Sequence, residues 1–286
     1  DASPCNIVLR KASPPPPHDI AVTKFPRERL RELSVPEYVE THRFPVRQAT
    51  LRSDGWILEP PDVVALLEKI RAAGGPLKSY ANAVPNWGIK TGFNEAYLID
   101  AATKERLCRA CPAGADLFRR YLRGEDVGRW VRNAGERWII LMKSSADFAW
   151  PWAALPEAAA EAKFKESLPA LYEHFKRFER ELRKRTDRGK NWWELRPCAY
   201  YDLFDVPKIV YQEIQFHPSF AVDREAFVLN NKAFLLPSAD PWLLAVLNSP
   251  LMWWHNWRYL VHMKDEALSP AEKKMSALSI ATPSTE

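Results

Sequence analysis

The sequence predicts an α+β fold, a mixed α/β arrangement in which twisted mixed or antiparallel sheets are flanked by helices and the C-terminal portion is helical. Apolar residues recur at three- and four-residue steps from Leu168 to Leu182, as in an amphipathic helix. Short β-type runs separated by Pro, Asp or Asn follow at 208–213, 220–223, 227–229 and 233–236. Two further helix patterns occupy 241–248 and 251–261, so strands and helices both contribute to the core.

The N-terminal part is predicted to begin with a short strand, 6–10, and an extended spacer around the four prolines 14–17. A charged helical pattern occupies 27–40 until Pro36, and 55–58 form a strand. The next helix starts at Pro61 and stops at Gly74-Gly75.

The middle of the chain contains glycine-bounded turns and buried strands. Gly88 and Gly92 bracket a tight turn, and the alternating residues 94–100 predict a half-buried strand after it. Thr103 is the predicted N-cap of a helix that runs to about Ala110. A buried strand is expected at 138–141, and a single long helix at 168–185.

These elements suggest three parts: a leading strand with a proline-rich linker (1–18), a main domain (19–268) and a flexible tail (269–286). The length of 286 residues allows the main domain to consist of two lobes, with a boundary near 150. The first residue is Asp1 rather than Met, so the chain is expected to be a piece of a longer protein.

Composition indicates an ordinary globular protein, with 47% hydrophobic and 27% charged residues. The net charge of +5 favours an acidic partner, although many other proteins carry a similar excess.

The cysteine content indicates the redox compartment. Four cysteines are too few for a disulfide framework, so a reducing compartment, the cytoplasm, is expected. Cys108 and Cys111 have the spacing of half a zinc site without a second half, and we expect them to be buried on one helix. The longest apolar run, 242–254, is interrupted, and membrane insertion is not expected.

Four segments combine long polar or aromatic side chains with glycines or strand ends: 88–94, 121–130, 191–196 and 230–232. Such side chains can reach phosphates and base edges or stack on bases. The candidate DNA-binding residues are Lys90, Thr91, Asn94, Arg123, Arg129, Trp130, Arg132, Trp192, Asn230, Asn231 and Lys232. Arginine can pair bidentately with guanine and asparagine with adenine.

Each of these signals has a structural alternative. Asparagine at a strand end often bonds its own backbone, and cations at a helix end stabilise the helix dipole. Eight Lys/Arg lie between residues 176 and 190, directly before Trp192-Trp193. The two indoles therefore either meet a partner such as bases or fill a position in the core.

Catalytic motifs are missing from the sequence. The six histidines form no His-x-x-x-His or His-Glu-x-x-His set, and neither phosphate-binding glycine loops nor Gly-x-Ser-x-Gly occur. No catalytic, cofactor-binding or metal-binding residue is therefore assigned to this chain.

An ordered series of motifs resembles the TaqI-like C-terminal specificity domain, the target-recognition domain of N6-adenine DNA methyltransferases in restriction-modification and phage-defence systems. The resemblance covers about 50–260. Its motifs are GIKTGFNEAYLID (88–100), YLRGEDVGRW (121–130), NWWELR (191–196), YYDLFDVPKIVYQEI (200–214), FVLNNKAFLL (227–236) and LLAVLNSPLMWW (243–254).

The resemblance implies a chain that recognises double-stranded DNA, while a linked or associated methyltransferase domain binds S-adenosylmethionine and modifies a flipped adenine. The active-site run Asn/Asp-Pro-Pro-aromatic and the glycine-rich cofactor loop of such a domain are absent from this sequence. In the family pattern, the run containing Trp192 and Trp193 is equally consistent with a core-forming turn. Two other functions stay open: a protein-interaction module, and a small stand-alone enzyme with dispersed site residues.

Overall fold

The computed structural model of the protein describes residues 6–26, 31–32, 34–51, 53 and 56–283. The chain divides into two compact units, Asp1–Gly75 and Pro76–Glu286. Position 150, where the sequence suggested a boundary, lies inside the second unit. The division instead falls at the Gly74-Gly75 pair, which the sequence had identified only as a helix stop.

The first unit contains an antiparallel pair, β1 (Asp19–Val22) and β2 (Phe44–Arg47), in which Ile20 lies opposite Val46. Its helices are α1 (Val35–His42) and α2 (Pro61–Ala72), with a 3₁₀ turn at Gln48–Thr50. The helix predicted at 61–73 is confirmed.

Three other predictions for this unit are wrong or lie partly outside the described residues. Residues 6–10 and 56–58 are irregular rather than strands, and Gly55 lies outside the described ranges. Pro36 occupies the first turn of α1 instead of ending a helix, because proline is tolerated where the backbone N–H has no helical partner. Part of the predicted helix, residues 27–30 and 33, also lies outside the described ranges.

After β3 (Gly74–Pro76) at the boundary, the second unit contains two four-stranded sheets, ordered β10-β6-β7-β5 and β4-β11-β8-β9. Only the β10–β6 pair is parallel in them; the other pairs are antiparallel. Their strands are β4 (Asn86–Trp87), β5 (Leu98–Asp100), β6 (Phe118–Leu122), β7 (Arg137–Ile140), β8 (Lys208–Gln212), β9 (Phe220–Asp223), β10 (Val228–Leu229) and β11 (Ala233–Leu236).

The helices of the second unit lie between and after these strands. In chain order they are α3 (Leu77–Tyr80), α4 (Asn94–Tyr97), α5 (Ala101–Ala110), α6 (Glu157–Ser167), α7 (Pro169–Lys176), α8 (Glu179–Lys184), α9 (Pro241–Leu247), α10 (Pro250–Tyr259) and α11 (Glu272–Ser276). Short 3₁₀ turns occupy Pro112–Leu117, Gly124–Asp126, Tyr201–Phe204 and Lys264–Glu266. The predicted α+β class, the strands at 208–236 and the two helices after them are confirmed.

The central strands β11 and β8 of the sheet β4-β11-β8-β9 are buried on both faces. Val210 and Leu235 point into the larger of two hydrophobic cores, whereas Ile209 and Phe234 point into the smaller one. This alternation follows from the two-residue period of a strand. The sheet is thus a rigid partition between the cores, and the loops at its ends are supported from both sides.

The sequence predicted a flexible tail at 269–286, but the described part of this tail, up to residue 283, contains regular secondary structure. Strand β14 (Ser279–Ala281) and α11 lie in this tail, and just before it β12 (Val261–His262) pairs with β13 (Leu268–Ser269). Met275 and Ile280 are fully buried in the smaller core. These apolar residues are isolated in the sequence and too few to show a period, so no regular element could be predicted here.

The predicted long helix at 168–185 is also wrong, because α7 and α8 are separate. Pro169 forces Leu168 out of helical geometry (φ −138°), so α7 begins there, and Phe178 (φ −112°) separates it from α8. Residues 94–97 form α4 before β5 begins, rather than one continuous strand. The N-cap of α5 is Asp100, whose carboxylate accepts the Thr103 N–H at 2.8 Å.

Candidate nucleic-acid interface

One end of the sheet β4-β11-β8-β9, here called the sheet end, brings together four chain segments. The Gly88 N–H after β4 donates to Ala233 O at 2.9 Å, Ala233 pairs with Gln212, and Tyr211 pairs with Phe220. The residues just beyond this row are Ile89-Lys90, Lys232, Glu213 and Ser219. With strands about 4.8 Å apart, four strands give a row about 14 Å wide. That is comparable with the width of a DNA groove.

Gly88 holds the turn 88–92 tightly against residues 229–230. A Cβ on Gly88 would lie 1.9 Å from the Asn230 carbonyl oxygen, so only glycine fits. The next residue, Ile89, forms a parallel bridge with Asn230 and donates its N–H to Leu229 O at 2.7 Å. The first and last of the four candidate segments are therefore in direct backbone contact.

Asn230 fixes the turn that carries Arg123. Its side-chain Oδ1 accepts the N–H of Gly124 at 2.9 Å and that of Lys232 at 3.1 Å. A Cβ on Gly124 would lie 2.3 Å from Lys232 O. With both bonds made inside the protein, Asn230 positions the loops. The base-reading role that was one of its two sequence interpretations is not supported.

Lys90 is the exposed member of the turn 88–92. Its ammonium lies 2.6 Å from Asp187, whose pKa it lowers below the usual range. Thr91 is buried and donates its hydroxyl to Asn94 Oδ1 at 2.6 Å, while Gly92 has a φ of +72°. Thr91 and Asn94 thus shape the turn, and Lys90 faces the solvent.

Arg185, which the sequence analysis did not select, holds this turn through a hydrogen bond to a backbone carbonyl. Its buried guanidinium donates to Thr91 O and Trp192 O at 2.7 Å, and to Glu194 O at 3.0 Å. Burial lowers the pKa of Arg185. The basic run 176–190 was visible in the sequence, but which of its members points inward depends on where α8 ends.

Trp192 and Trp193 are both 0% exposed, so Trp192 cannot stack on bases in this fold. The ring of Trp193 packs against Phe164 at 4.9 Å and against Trp152 at 6.2 Å. Glu194, which follows them, is buried and accepts hydrogen bonds from Asn191, Ser145 and Trp152. The segment 191–196 is therefore a core-forming turn, the other alternative that the sequence left open.

Trp130 lies at the outer side of β9. It sits in a hairpin closed by a Val127–Arg132 bridge, adopts a φ of +72°, and donates its N–H to Phe220 O at 2.9 Å. Its indole is 47% exposed, and the Arg129 guanidinium lies 5.6 Å from the ring. Since Phe220 begins β9 at the sheet end, Trp130 extends the row of candidate residues.

Arg132, in the same hairpin, is engaged inside the protein. Its guanidinium donates to Val222 O at 2.9 Å and to Glu225 at 2.8 Å, and lies 3.5 Å from Asp223. It also stacks over Phe227 at 5.2 Å. Arg132 therefore anchors the chain after β9, and its predicted DNA contact has no geometric support.

The candidates thus separate into two groups. Five have a structural role: Thr91, Asn94, Arg132, Trp192 and Asn230. Six have side chains at the sheet end: Lys90, Arg123, Arg129, Trp130, Asn231 and Lys232. Of these, Arg129 is exposed but donates one guanidinium N–H to Asn248 O at 2.9 Å.

Three of the available cations form ion pairs in which the cation itself is exposed to solvent. Lys90 pairs with Asp187, Arg123 with Glu125 at 2.9 Å, and Lys232 with Glu213 at 3.0 Å. Exposed pairs contribute about 0–1 kcal/mol, so a phosphate can replace the carboxylate at small cost.

Within the described ranges, no group of three His, Cys, Asp or Glu side chains could hold a metal ion. Cys111 is buried as expected, and Cys108 on α5 is half-buried. Among the described residues, no helix has the length and hydropathy needed to cross a membrane.

Comparison with known proteins identifies one family. The TaqI-like C-terminal specificity domain matches residues 119–278, more than half of the chain. A solved structure with detectable similarity is the Type IIL restriction-modification enzyme MmeI in complex with DNA, with 13% sequence identity and a TM-score of 0.42. The similarity covers 68% of this chain and 24% of that enzyme, so the chain spans about a quarter of its length. A search of curated proteins found no match. The match confirms the resemblance seen in the motifs, and the chain belongs to the family of TaqI-like C-terminal specificity domains.

Proposed function

We propose that this chain is the DNA-recognition domain of a restriction-modification enzyme and that it binds duplex DNA across the sheet end. The observation that carries the proposal is the convergence of separate segments, 88–92, 123–132, 213–219 and 230–232, at one end of a buried sheet. They place four cations, an indole and an amide on a rigid support.

The side chains divide the work of recognition by their chemistry. Lys90, Arg123, Arg129 and Lys232 are suited to phosphates, whose neutralisation releases counterions and makes binding salt-dependent. Asn231 and either arginine can also reach base edges, where one good bidentate pair discriminates by about 1–3 kcal/mol. The close packing at Gly88 and Gly124 fixes the positions from which these side chains extend.

Methyl transfer belongs, in this proposal, to another part of the protein. The family resemblance supports an N6-adenine methyltransferase domain that binds S-adenosylmethionine and acts in the cytoplasm in a phage-defence system. This chain lacks the Asn/Asp-Pro-Pro-aromatic run and the glycine-rich loop needed to hold that cofactor. No step of methyl transfer is therefore assigned to the residues of this chain.

Titrating duplex DNA at two salt concentrations tests the proposal. Four phosphate contacts give a slope of log K against log salt of about −3.6, so affinity should fall about 100-fold between 50 and 200 mM salt. Lys232→Ala should reduce the slope by about 0.9. Lys163→Ala is the matched control, because Lys163 on α6 forms an exposed ion pair with Glu166 at the same 3.0 Å.

Two results would reject the proposal. One is failure to bind any duplex at 50 mM salt. The other is a slope that Lys232→Ala and Lys163→Ala change equally, because then the sheet end has no special share in binding.

A further inference from the structure

The loop between β8 and β9, residues 213–219, presents an aromatic ring that the sequence analysis did not select. Phe216 is 64% exposed, more than any other aromatic side chain in the described ranges. Ile214, two residues before it, is also exposed, whereas Gln215 between them is buried. Together they form an apolar tip at the sheet end.

The backbone that carries Phe216 is held in place. Gln215 and Leu268 exchange two backbone hydrogen bonds, at 2.9 and 2.8 Å, and the Glu213 N–H donates to Lys232 O at 2.9 Å. On the other side, the Ser219 hydroxyl lies 3.2 Å from His217 O. A ring on a fixed backbone loses little conformational entropy when it is buried by a partner.

The surroundings of Phe216 are those of the proposed DNA site. Glu213, three residues before it, carries the ion pair with Lys232, and Phe220, four residues after it, binds the Trp130 backbone. The loop that carries Phe216 thus has a backbone contact to Lys232 at one end and to Trp130, the neighbour of Arg129, at the other. A cationic border favours a polyanion over an apolar protein surface as the occupant.

We propose that Phe216 enters the base stack of the bound duplex as a wedge, with Trp130 beside it. The inference depends on the proposed DNA-binding function and adds a deformation of the DNA to it. Apolar side chains inserted at a base step partly unstack it and kink the duplex by about 20–90°.

The test uses a duplex that the chain selects from a random-sequence pool, with 2-aminopurine replacing each purine in turn. Binding of the unmodified protein should raise 2-aminopurine fluorescence at one step, because unstacking relieves its quenching. Phe216→Ala should abolish this rise and weaken binding about 10- to 100-fold, the range expected for one base–aromatic contact. Phe216→Leu should retain part of both effects.

Val84→Ala serves as the control, because Val84 is exposed but precedes β4 at the opposite end of the sheet. Equal unfolding midpoints for all variants establish that each one is folded. Binding without a fluorescence rise, or a rise that persists in Phe216→Ala, would overturn the wedge and leave the DNA-binding function intact. Failure to bind any duplex would contradict both the wedge and the DNA-binding function.

Discussion

Replacing Gly88 with alanine tests whether the loops of the sheet end are held together by close backbone contact. A Cβ at this position would lie 1.9 Å from Asn230 O, whereas ordinary contacts begin at 3.4 Å, so the backbones must separate by about 1.5 Å. That shift would break the hydrogen bonds from Gly88 to Ala233 at 2.9 Å and from Ile89 to Leu229 at 2.7 Å.

The expected cost follows from these two bonds. Each intramolecular hydrogen bond contributes about 0.5–1.5 kcal/mol, and buried groups left unpaired cost about 1–3 kcal/mol. Gly88→Ala should therefore lower the free energy of unfolding by about 2–4 kcal/mol, measured by urea denaturation. It should also weaken duplex binding, because Lys90 moves with the turn.

Gly75→Ala is the control, since no atom lies within 4 Å of the added Cβ, and its effect should stay within about 0.5 kcal/mol. If Gly88→Ala were as mild as this control, the close contact between the turn and residues 229–230 would be refuted.

Three further predictions concern buried ionisable groups of the second unit. Lys208 and Asp223 form a fully buried ion pair at 2.6 Å, so Lys208→Met should cost about 3–5 kcal/mol of unfolding free energy; a urea titration showing a loss below 1 kcal/mol would contradict the pairing. Arg185→Lys removes a guanidinium that donates to three carbonyls at once, and should lower the free energy of unfolding by about 2–3 kcal/mol in the same assay. Unchanged stability would mean that these three hydrogen bonds are not needed for the fold. Burial lowers the pKa of His174, whose Nδ1 accepts from Arg177 at 2.7 Å, so the ring is neutral in the fold. Because only the unfolded chain then binds the proton, stability should fall as the pH drops below about 6.5, and His174→Gln should reduce this fall; identical pH profiles would contradict the assignment.

Much of the second sheet could be predicted because its signals are local. The strands β8, β9 and β11 are dense apolar runs, and Pro, Asp or Asn separates them. The apolar runs and the turn residues between them both predict short strands. Gly88 was recognisable as a turn residue, although its partners were not. Those partners are distant in sequence, and only pairing across the sheet brings them together.

The role of Trp192-Trp193 could not be decided from the sequence. An indole pair has the same residue pattern whether it fills a core or meets a base, and the outcome depends on Phe164 of α6. That helix was itself missed, since its alanine-rich sequence has no clear apolar stripe. Phe216 was overlooked because a single aromatic residue in a loop carries no pattern in the sequence. Its exposure and its position at the sheet end are known only from the fold.

The ion-pair partners of the candidate cations also could not be predicted from the sequence. Arg123, Arg132 and Lys232 look alike in the sequence, yet Arg132 is engaged with Val222, Glu225 and Asp223, while each of the other two pairs with a single carboxylate. Which cation remains available depends on the acid that the fold places beside it. Sequence patterns identify the chemistry of a site, and the fold selects the members that can act.

Hydrogen exchange measured with and without a selected duplex tests most directly whether DNA binds at the sheet end. We expect slower exchange in 88–92, 123–131, 213–219 and 230–232, and unchanged exchange in 82–85 and 204–207 at the opposite end. Protection confined to the opposite end, or spread evenly over both, would contradict the proposed interface.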